Sequence, residues 1–553
     1  MRTRHRTAAI GAALATAAAM MLTACGGASG ASETDSAASG EPRTGGTLVY
    51  LDKGTYDTLY PPEAGFYPNG GLVNNLTDRL VYQNSETLEF EPWLATDWTI
   101  NENATEYTFT LRDDVTFSDG TPLNAKVVAA NFDLYGLGDA DRALIVSEAI
   151  NNYDHSEVID PTHVKFYFSA PAPGFLQATS TINSGILSLE TIQGAYEDFG
   201  PGNATNIIGT GPFVVADEQI GASITLKARE EYNWAPESMS HQGRAYVDEI
   251  QIKVTPESSV RVGALLSGQA GIARSIPAQD EERVRQSGVD LYAAQTKGVN
   301  NSWSLRIGND ILSDIRVRKA LIAGIDRQAV VDTLYTENYP LATSVLSSKA
   351  TGYIDTSEYF QYDPEKAKQL LEEAGWEVGP DGIRVKDGQR LTLTVNEALP
   401  QPRSFELDTL VAQQLRKIGV ELEILRADAG TYAKAIQDAG QVQIYHSMVG
   451  RADMDVIKSQ YYSTNRNTLL NRNSETGEVI DPKLEELLEA VASEPNHEQR
   501  IEASQAVQVY LAKNAYVIPF FEEPQVFGTQ ANVHGFHTES VGRPTFYGVW
   551  LEQ

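Results

Sequence analysis

Apolar and polar residues alternate along residues 107–112, which read YTFTLR, with the period of a half-buried β-strand. Residues 118–122, SDGTP, have the composition of a turn, and Asn124 stands where an N-cap would begin a helix over residues 125–135. Just upstream, the WLA of residues 93–95 predicts a helical turn. This part of the chain is therefore predicted to contain a strand–turn–helix unit, which occurs in many folds.

Several later helices are predicted together with the residues that cap them. Asp314 and Asp326 each precede a helical run and are expected to be N-caps. Asp363 caps a third helix, in which Pro364 takes the first helical position and Gly375 ends the run. Further helices are predicted over residues 72–80, 259–267, 482–492 and 498–512.

An alternation of strands and helices begins near residue 391. Residues 391–395 and 420–425 have strand patterns, and residues 404–418 between them have the pattern of a helix. A strand, a helix and a strand at this spacing predict a βαβ unit, in which the two strands lie parallel. A chain of 553 residues with such units is expected to form about two to four domains.

The first 25 residues differ from the rest of the chain. Three arginines lie within the first six residues, residues 7–22 are apolar, and LTAC follows, which is the outline of a secretory signal. The small residues before Cys25 resemble a lipobox, which implies removal of residues 1–24 and attachment of diacylglycerol to the Cys25 sulfur. The alternative is an ordinary signal peptide that contains a cysteine.

Charge and cysteine content exclude several classes of function. Cys25 is the one cysteine in the chain, which excludes an internal disulfide and a cysteine-based metal cluster. Removal of residues 1–24 lowers Lys+Arg from 43 to 40 against 74 acids, for a net charge of −34. Such an acidic protein is poorly suited to binding nucleic acid or anionic lipid. After residue 25 no apolar run is long enough to span a membrane.

The stretch from residue 93 to residue 132 resembles the signature of family 5 extracellular solute-binding proteins, the peptide/nickel class of ABC-importer receptors. The family pattern runs roughly LAxxW, then YTFxLRxxVxFxDGxP, and this chain matches nearly all of it, with Lys126 where the family usually has an acid. Residues 314–327, DIRVRKALIAGIDR, also match. So do residues 208–213, IGTGPF, which we interpret as a structural turn because no Lys-Ser/Thr follows as in a phosphate-binding loop.

The resemblance implies the α/β class and a periplasmic-binding-protein-like type II (cluster C) fold, in which two α/β lobes joined by a two-strand hinge are accompanied by a small accessory domain. It also implies a receptor at the extracytoplasmic face of the cell membrane, anchored by acylated Cys25, that delivers its solute to ABC transporter permease subunits. We expect a monomer that binds a small molecule or peptide and no nucleic acid. The implied division of the chain is a signal peptide at 1–24, a flexible tether at 25–46, lobe I at 47–92, 205–300 and 518–553, an accessory subdomain at 93–204, and lobe II at 301–517.

The resemblance also points to candidate ligand contacts near the first strand and at the hinge. In the family the loop after the first strand borders the cleft, so Tyr56, Asp57 and Tyr67 are candidates, although anchoring of the loop is an equal alternative for each. The strand over residues 299–307 crosses between the lobes in the family. Trp303 is therefore expected either to stack on a ligand or to fill the hinge.

Residues 443–455, QIYHSMVGRADMD, bear most directly on the class of ligand. In peptide-binding relatives a strand ends here in a WxxDxxDP type of loop, whose first Asp pairs with the α-ammonium of the peptide. Asp453 falls closest to that position and Asp455 is the next candidate, with Tyr445 and Arg451 as neighbouring contacts. A fixed carboxylate suits this role because a buried unpaired ammonium is costly.

This stretch departs from the family pattern, since the Trp is absent, the spacing is compressed and no Pro follows Asp455. Arg451 either binds a ligand carboxylate through two parallel N–H bonds or neutralises Asp453, and both interpretations remain open. An oligopeptide is the preferred ligand. An oligosaccharide, nickel or a metal chelate is the alternative.

An extracellular hydrolase is the competing class of protein. The sequence contains no GxSxG, HExxH, P-loop or EF-hand pattern. Its 74 acids place some carboxylates close together by chance, so their abundance is no evidence for a glycosidase. His534 and His537 form an HxxH, but no third ligand accompanies them in a segment that contains glycine. We therefore expect a binding protein with no catalytic residues, no cofactor and no metal site.

Overall fold

The structure is a computed structural model that describes residues 40–466, 468–473 and 475–552. The predicted signal peptide, Cys25 and most of the predicted tether lie outside the described residues. The described α-helices are Tyr67–Leu76, Ala125–Leu137, Phe175–Ala178, Leu189–Ile192, Ser258–Leu266, Ala278–Gln286, Asp310–Ser313, Ile315–Gly324, Arg327–Leu334, Pro364–Glu373, Ser404–Arg416, Ala429–Ala435, Val456–Tyr461, Pro482–Ser493 and His497–Lys513. Short 3-10 helices lie at Pro61–Glu63, Ala140–Arg142, Ile182–Ser184, Tyr196–Phe199, Ala204–Asn206 and Ser357–Tyr359.

A seven-stranded sheet forms the centre of lobe I. Its strands, in spatial order, are Asp290–Gln295, Pro524–Thr529, Ile272–Arg274, Thr47–Asp52, Glu249–Val254, Ser223–Ala228 and Phe213–Gln219. Thr47–Asp52 is central and pairs in parallel with both of its neighbours, which agrees with its nearly continuous burial. The sheet therefore contains segments from both ends of the chain and from its middle.

A five-stranded sheet forms the centre of lobe II. Its strands, in spatial order, are Glu421–Leu425, Thr392–Asn396, Ile444–Gly450, Gly298–Leu305 and Val517–Phe521. The first two pair in parallel and are connected through the helix Ser404–Arg416, which confirms the βαβ unit predicted from the sequence. Leu407, Val411 and Leu415 on one side of that helix are buried in the core of the lobe.

A four-stranded antiparallel sheet lies within the segment assigned to the accessory subdomain. Its strands, in order, are Ala95–Ile100, Glu106–Leu111, His163–Phe168 and Tyr153–Asp160. The predicted strand at 107–112 and the helix that follows it are confirmed, and the Asn124 side chain accepts bonds from the first backbone N–H groups of that helix. The helical turn predicted at 93–95 is wrong. Ala95 instead begins a strand, because pairing with Glu106–Leu111 outweighs the local helical preference.

Where the sequence contains a predicted capping residue, the helix begins directly after it. The side chains of Asp314, Asp326 and Asp363 each accept a backbone N–H from the helix they precede, as predicted. The helix predicted over residues 72–80 is wrong at both ends. It occupies Tyr67–Leu76, because Pro in the first turn favours an early start and the chain turns extended at the next residue.

Residues 208–213 pack closely against the helix Tyr67–Leu76. Gly209 is required where its turn meets the helix Tyr67–Leu76, since a Cβ there would overlap the Leu76 carbonyl oxygen. This observation supports the interpretation of residues 208–213 as a structural turn.

The remaining strands are Glu377–Val378, Arg384–Lys386 and Gln389–Arg390 in one sheet, and the pairs Val81–Gln83 with Phe90–Pro92, Val533–His534 with Trp550–Leu551, and His537–Thr538 with Pro544–Thr545.

The chain crosses between the two main sheets twice, at residues 296–297 and 522–523, which we call the hinge segments. Each segment joins a strand of the lobe I sheet to a strand of the lobe II sheet. The two segments contact each other, since the Thr296 N–H donates to the Glu523 carbonyl oxygen at 3.2 Å. Gly298 follows with φ of 139°, and a Cβ at this position would overlap the Val449 carbonyl oxygen. In the described part of the chain, no helix has both the length and the apolar character needed to cross a bilayer.

Candidate functional site

A cavity of about 540 Å³ lies between the lobes, beside the hinge segments. This volume falls in the range of about 300–1,000 Å³ that is typical of small-molecule sites. Lobe I, the accessory subdomain and lobe II all contribute to its walls. Most of the wall belongs to residues 62–68, 145–149, 448–452 and 539–543.

The cavity wall carries charges of both signs in nearly equal number. Its cationic side chains are Lys53, Arg274, Arg451, Arg466 and Arg543, and its acidic side chains are Glu63, Glu148, Glu523 and Glu539. The whole chain, by contrast, has a net charge of −31. The balance inside the cavity suits a solute that carries both a positive and a negative group.

Three large apolar side chains at the cavity wall are unusually accessible. Phe66, Ile145 and Val146 are 44%, 53% and 47% exposed, although each lines the cavity. A solute placed against them would remove apolar surface from water, which is the main favourable contribution to binding in most small-molecule sites. The wall therefore combines charged groups with an apolar surface.

Polar contacts connect lobe II to the accessory subdomain on one side of the cavity. Arg466 forms an ion pair with Glu148, and the Arg451 guanidinium donates to the Glu148 carbonyl oxygen at 3.4 Å. Asn151 donates from Nδ2 to Asp455 Oδ2 at 3.2 Å. A further contact joins lobe I to lobe II, where Lys53 Nζ donates to the carbonyl oxygen of Pro400 at 3.3 Å. The two lobes are thus in contact around the cavity.

The structure pairs Asp453 and Asp455 with arginines. Asp453 receives a bidentate contact from Arg500, in which Nη1 lies 3.0 Å from Oδ2. Burial alone would raise the pKa of Asp453, but the Arg500 charge outweighs it and holds the pKa well below its usual range. Asp455 pairs with Arg451, while burial raises the pKa of the Asp455 carboxyl against that charge. Neither carboxylate is among the groups that line the cavity.

Gly174 of the accessory subdomain packs directly on this pair of carboxylates. A Cβ at that position would lie 3.2 Å from Asp453 Oδ1 and 3.3 Å from Asp455 Oδ2. Of the two sequence interpretations of Arg451, the geometry matches partial neutralisation of a neighbouring acid, although the acid is Asp455 and Asp453 is neutralised by Arg500. Arg451 itself does line the cavity.

Tyr67 is the candidate from the first loop that reaches the cavity. The guanidinium groups of Arg274 and Arg543 lie over its ring, 5.4 Å and 5.0 Å from the ring centroid. Its hydroxyl donates to the Val541 carbonyl oxygen at 2.8 Å, and burial raises the pKa of that hydroxyl. Arg274 is in turn fixed by an ion pair with Asp52 at 2.7 Å. Tyr67 thus anchors two cationic side chains at the wall.

Tyr56 and Asp57 do not line this cavity. The Tyr56 ring is buried in lobe I, and its hydroxyl donates to Glu218 Oε1 at 2.7 Å. The Asp57 side chain is exposed, and the Asp57 backbone N–H donates to Asn69 Oδ1 at 2.9 Å. Both residues therefore occupy the positions expected for anchoring of the loop.

Neither Trp303 nor Tyr445 lines the cavity, and both belong to strands of the lobe II sheet. Trp303 is fully buried and donates from Nε1 to Asp408 Oδ1 at 3.0 Å. The reason is that the strand Gly298–Leu305 is interior to its sheet and buried along its whole length. The Arg306 guanidinium lies over the Tyr445 ring, 5.4 Å from its centroid.

Glu523 is a cavity residue that the sequence reasoning missed. Its side chain belongs to a hinge segment, is 5% exposed and accepts a hydrogen bond from Asn301 Nδ2 at 3.3 Å. Burial raises the pKa of Glu523 to about 7, against the Asn301 hydrogen bond and the charge of Lys53. The signal that would have indicated it is an adjacent pair of acids, EE, between two buried apolar strands, FF and PQVF.

His534 and His537 do not form a metal site in the structure. They belong to two different short strands, and His534 stacks on Trp550 and contacts Glu552. Within residues 40–466, 468–473 and 475–552, no group of three or more His, Cys, Asp or Glu side chains is arranged to hold a metal ion.

This arrangement of two α/β lobes, a double crossing and a cavity at the crossing is that of a solute-binding protein. Residues 89–468 match the family model described as bacterial extracellular solute-binding proteins, family 5 Middle. The match covers more than half of the chain, and the chain belongs to this family. The family expected from the sequence is therefore confirmed.

Individual relatives agree with this assignment. The chain is 24% identical over 527 residues to the dipeptide-binding protein of Escherichia coli (strain K12), with 92% of this chain and 95% of that protein covered. It is similar to the oligopeptide-binding protein AppA from Bacillus subtilis in complex with a nonapeptide (TM-score 0.76, 19% identity, 93% of this chain and 100% of that one covered).

It is also similar to NikA from Brucella suis in complex with Fe(III)-EDTA (TM-score 0.76, 21% identity, 92% and 100% covered). At these identities the solved structures establish the fold alone. They confirm the predicted type II periplasmic-binding-protein-like class.

Proposed function

We propose that this protein is the substrate-binding component of an ABC importer and that it captures an oligopeptide in the interlobe cavity. The observation that carries the proposal is the cavity wall, on which five cationic and four acidic side chains stand beside an exposed apolar surface. A peptide presents one ammonium, one carboxylate and apolar side chains, so it matches every component of that wall. The protein binds the peptide and releases it chemically unchanged.

The hinge supplies the mechanism of capture. Two short segments join the lobes, so the lobes rotate about them when the solute enters and leaves. Contacts such as Glu148 with Arg466 form only when the lobes meet, and they stabilise the closed form that is presented to permease subunits. The protein acts as a monomer at the extracytoplasmic face, held to the membrane by diacylglycerol on Cys25.

Ligand binding is tested by thermal shift and calorimetry on the purified protein with short peptides, oligosaccharides and nickel–histidine complexes. Peptides are expected to raise the melting temperature and to be recovered intact. A shift with sugars or nickel complexes alone would refute the peptide assignment, and cleaved peptide would refute a pure binding role.

A matched pair of substitutions locates the site. Val146→Trp places a bulky ring at the cavity wall, where Val146 is 47% exposed. Val158→Trp is the control, because Val158 is 45% exposed on the edge strand Tyr153–Asp160 of the same subdomain and does not line the cavity. Val146→Trp is expected to abolish peptide binding and Val158→Trp to leave it unchanged. Equal binding by both variants would place the site elsewhere.

The membrane anchor has a separate test. Cys25→Ser removes the sulfur that carries the proposed diacylglycerol. The variant is expected to move from the membrane fraction to the soluble extracytoplasmic fraction while its peptide affinity stays the same. Retention of Cys25→Ser in the membrane fraction would contradict lipid attachment at this residue.

A further inference from the structure

Glu523 is the most deeply buried acid of the cavity wall. The residue is 5% exposed, and its carboxylate accepts a hydrogen bond from the Asn301 amide. Within the described residues, no Lys, Arg or His nitrogen lies within ion-pair distance of it. Lys53, the cation that acts on it electrostatically, directs its Nζ to the Pro400 carbonyl oxygen.

Two of the other three acids of the wall have a partner. Glu148 pairs with Arg466, and Glu539 accepts from the Arg543 backbone N–H at 2.9 Å. Glu63 has one buried carboxylate oxygen, Oε2, without a hydrogen-bond partner, but the residue as a whole is only half-buried. Glu523 differs from these three acids in its deeper burial and in its position, because it alone of the four belongs to a hinge segment.

A buried carboxylate without a cation is unfavourable in the empty protein, and a fold retains such a group where a ligand supplies the missing charge. We infer that Glu523 binds the ammonium group of the solute, so that the cavity selects solutes with a free amine held at the hinge. This inference rests on the proposed function and specifies which end of the peptide lies against which residue.

The position of Glu523 also connects binding to closure. Its carbonyl oxygen accepts the Thr296 N–H of the other hinge segment, and its side chain accepts from Asn301 on the strand that follows. An ammonium on this carboxylate is thus held where both crossings meet. A solute without the amine leaves the charge of Glu523 uncompensated at that point and is bound less tightly in the closed form.

The test uses the tripeptide Ala-Leu-Ala and its N-acetylated form, titrated calorimetrically at pH 8 into wild-type protein and into Glu523→Gln. Gln keeps the volume and an oxygen that accepts from Asn301, but it lacks the charge. The wild type is expected to bind the free tripeptide about 10- to 100-fold more tightly than the acetylated one, which is the effect of one hydrogen bond to a charged group. Glu523→Gln is expected to bind both equally weakly.

Glu522→Gln is the matched control. Glu522 is the neighbouring buried acid, but its carboxylate accepts from the Ser347 hydroxyl at 2.9 Å and from the Ser348 N–H at 3.0 Å, and it does not line the cavity. This variant is expected to keep the wild-type preference for the free amine.

The outcomes separate the inference from the proposed function. If the wild type binds tripeptide and Glu523→Gln keeps the full preference for the free amine, Glu523 is not the ammonium partner and the proposed function stands. Loss of that preference in Glu522→Gln as well would assign the effect to the hinge and overturn the inference. If the wild type binds neither tripeptide, the proposed function fails first and the inference falls with it.

Discussion

Replacement of Glu523 by Gln is predicted to stabilise the ligand-free protein at pH 8 while it impairs binding. Burial raises the pKa of Glu523 from 4.5 to about 7. At about 1.4 kcal/mol per pKa unit, ionisation of this buried group lowers the free energy of unfolding by about 3 kcal/mol above pH 7. Gln carries no charge and avoids that cost.

The sign follows from proton linkage. Between pH 4.5 and pH 7 the folded protein retains a proton on Glu523 that the unfolded chain has lost, so the stability contributed by this group falls as pH rises through that window. Below pH 4.5 both states are protonated and the difference between wild type and Glu523→Gln disappears. The groups that face this carboxylate are Lys53 and the hydroxyls of Tyr67, Tyr335 and Tyr339. Burial raises the pKa of each of the three hydroxyls, so they stay protonated across this range.

Urea unfolding, followed by tryptophan fluorescence at pH 4.5 and at pH 8, measures the effect. The difference in stability between Glu523→Gln and wild type is expected to be near zero at pH 4.5 and to reach about 3 kcal/mol in favour of the variant at pH 8. Glu522→Gln, which alters a carboxylate with several hydrogen bonds, is expected to show no such gain. A destabilised Glu523→Gln at pH 8 would show that the carboxylate serves the fold, and would refute the reasoning.

Three further substitutions test the hinge, the buried ion pair and the contact between lobes. Gly298→Ala, at φ of 139°, is expected to lower stability by about 2 kcal/mol or more in urea unfolding, and unchanged stability would contradict the close approach at the hinge. Arg500→Met leaves the buried Asp453 carboxylate without its cation and should lower the free energy of unfolding by about 3–5 kcal/mol in the same assay. Stability should recover when Asn also replaces Asp453. Glu148→Gln removes a half-exposed ion pair across the cavity, so calorimetry should show peptide affinity reduced by no more than about fivefold with an unchanged melting temperature.

Local sequence signals were sufficient wherever structure is determined by near neighbours. The caps Asn124, Asp314, Asp326 and Asp363 act on N–H groups two or three residues away, and all four are confirmed. Residues 93–95 show the opposite case. Their preference for a turn of helix was outweighed by a strand partner about 15 residues further along the chain, which no short window contains.

The candidate site was only partly predictable for the same reason. The stretch 443–455 was recognised by its motif, but Arg500, which neutralises Asp453, lies 47 residues away and meets it only in the folded lobe. Trp303 was expected to stack on a ligand or to fill the hinge because its strand was expected to cross between the lobes, yet that strand is interior to the lobe II sheet. Glu523 is one of 74 acids, and burial beside a cavity is what distinguishes it from the others.

Hydrogen exchange with mass spectrometry, before and after addition of Ala-Leu-Ala, tests most directly whether two lobes close on a peptide at the hinge. Peptide is predicted to slow exchange at both hinge segments, 296–297 and 522–523, and at the two facing walls, 145–149 and 448–452. Exchange that is unchanged at these segments under saturating peptide, or slowed only elsewhere on the surface, would contradict the account.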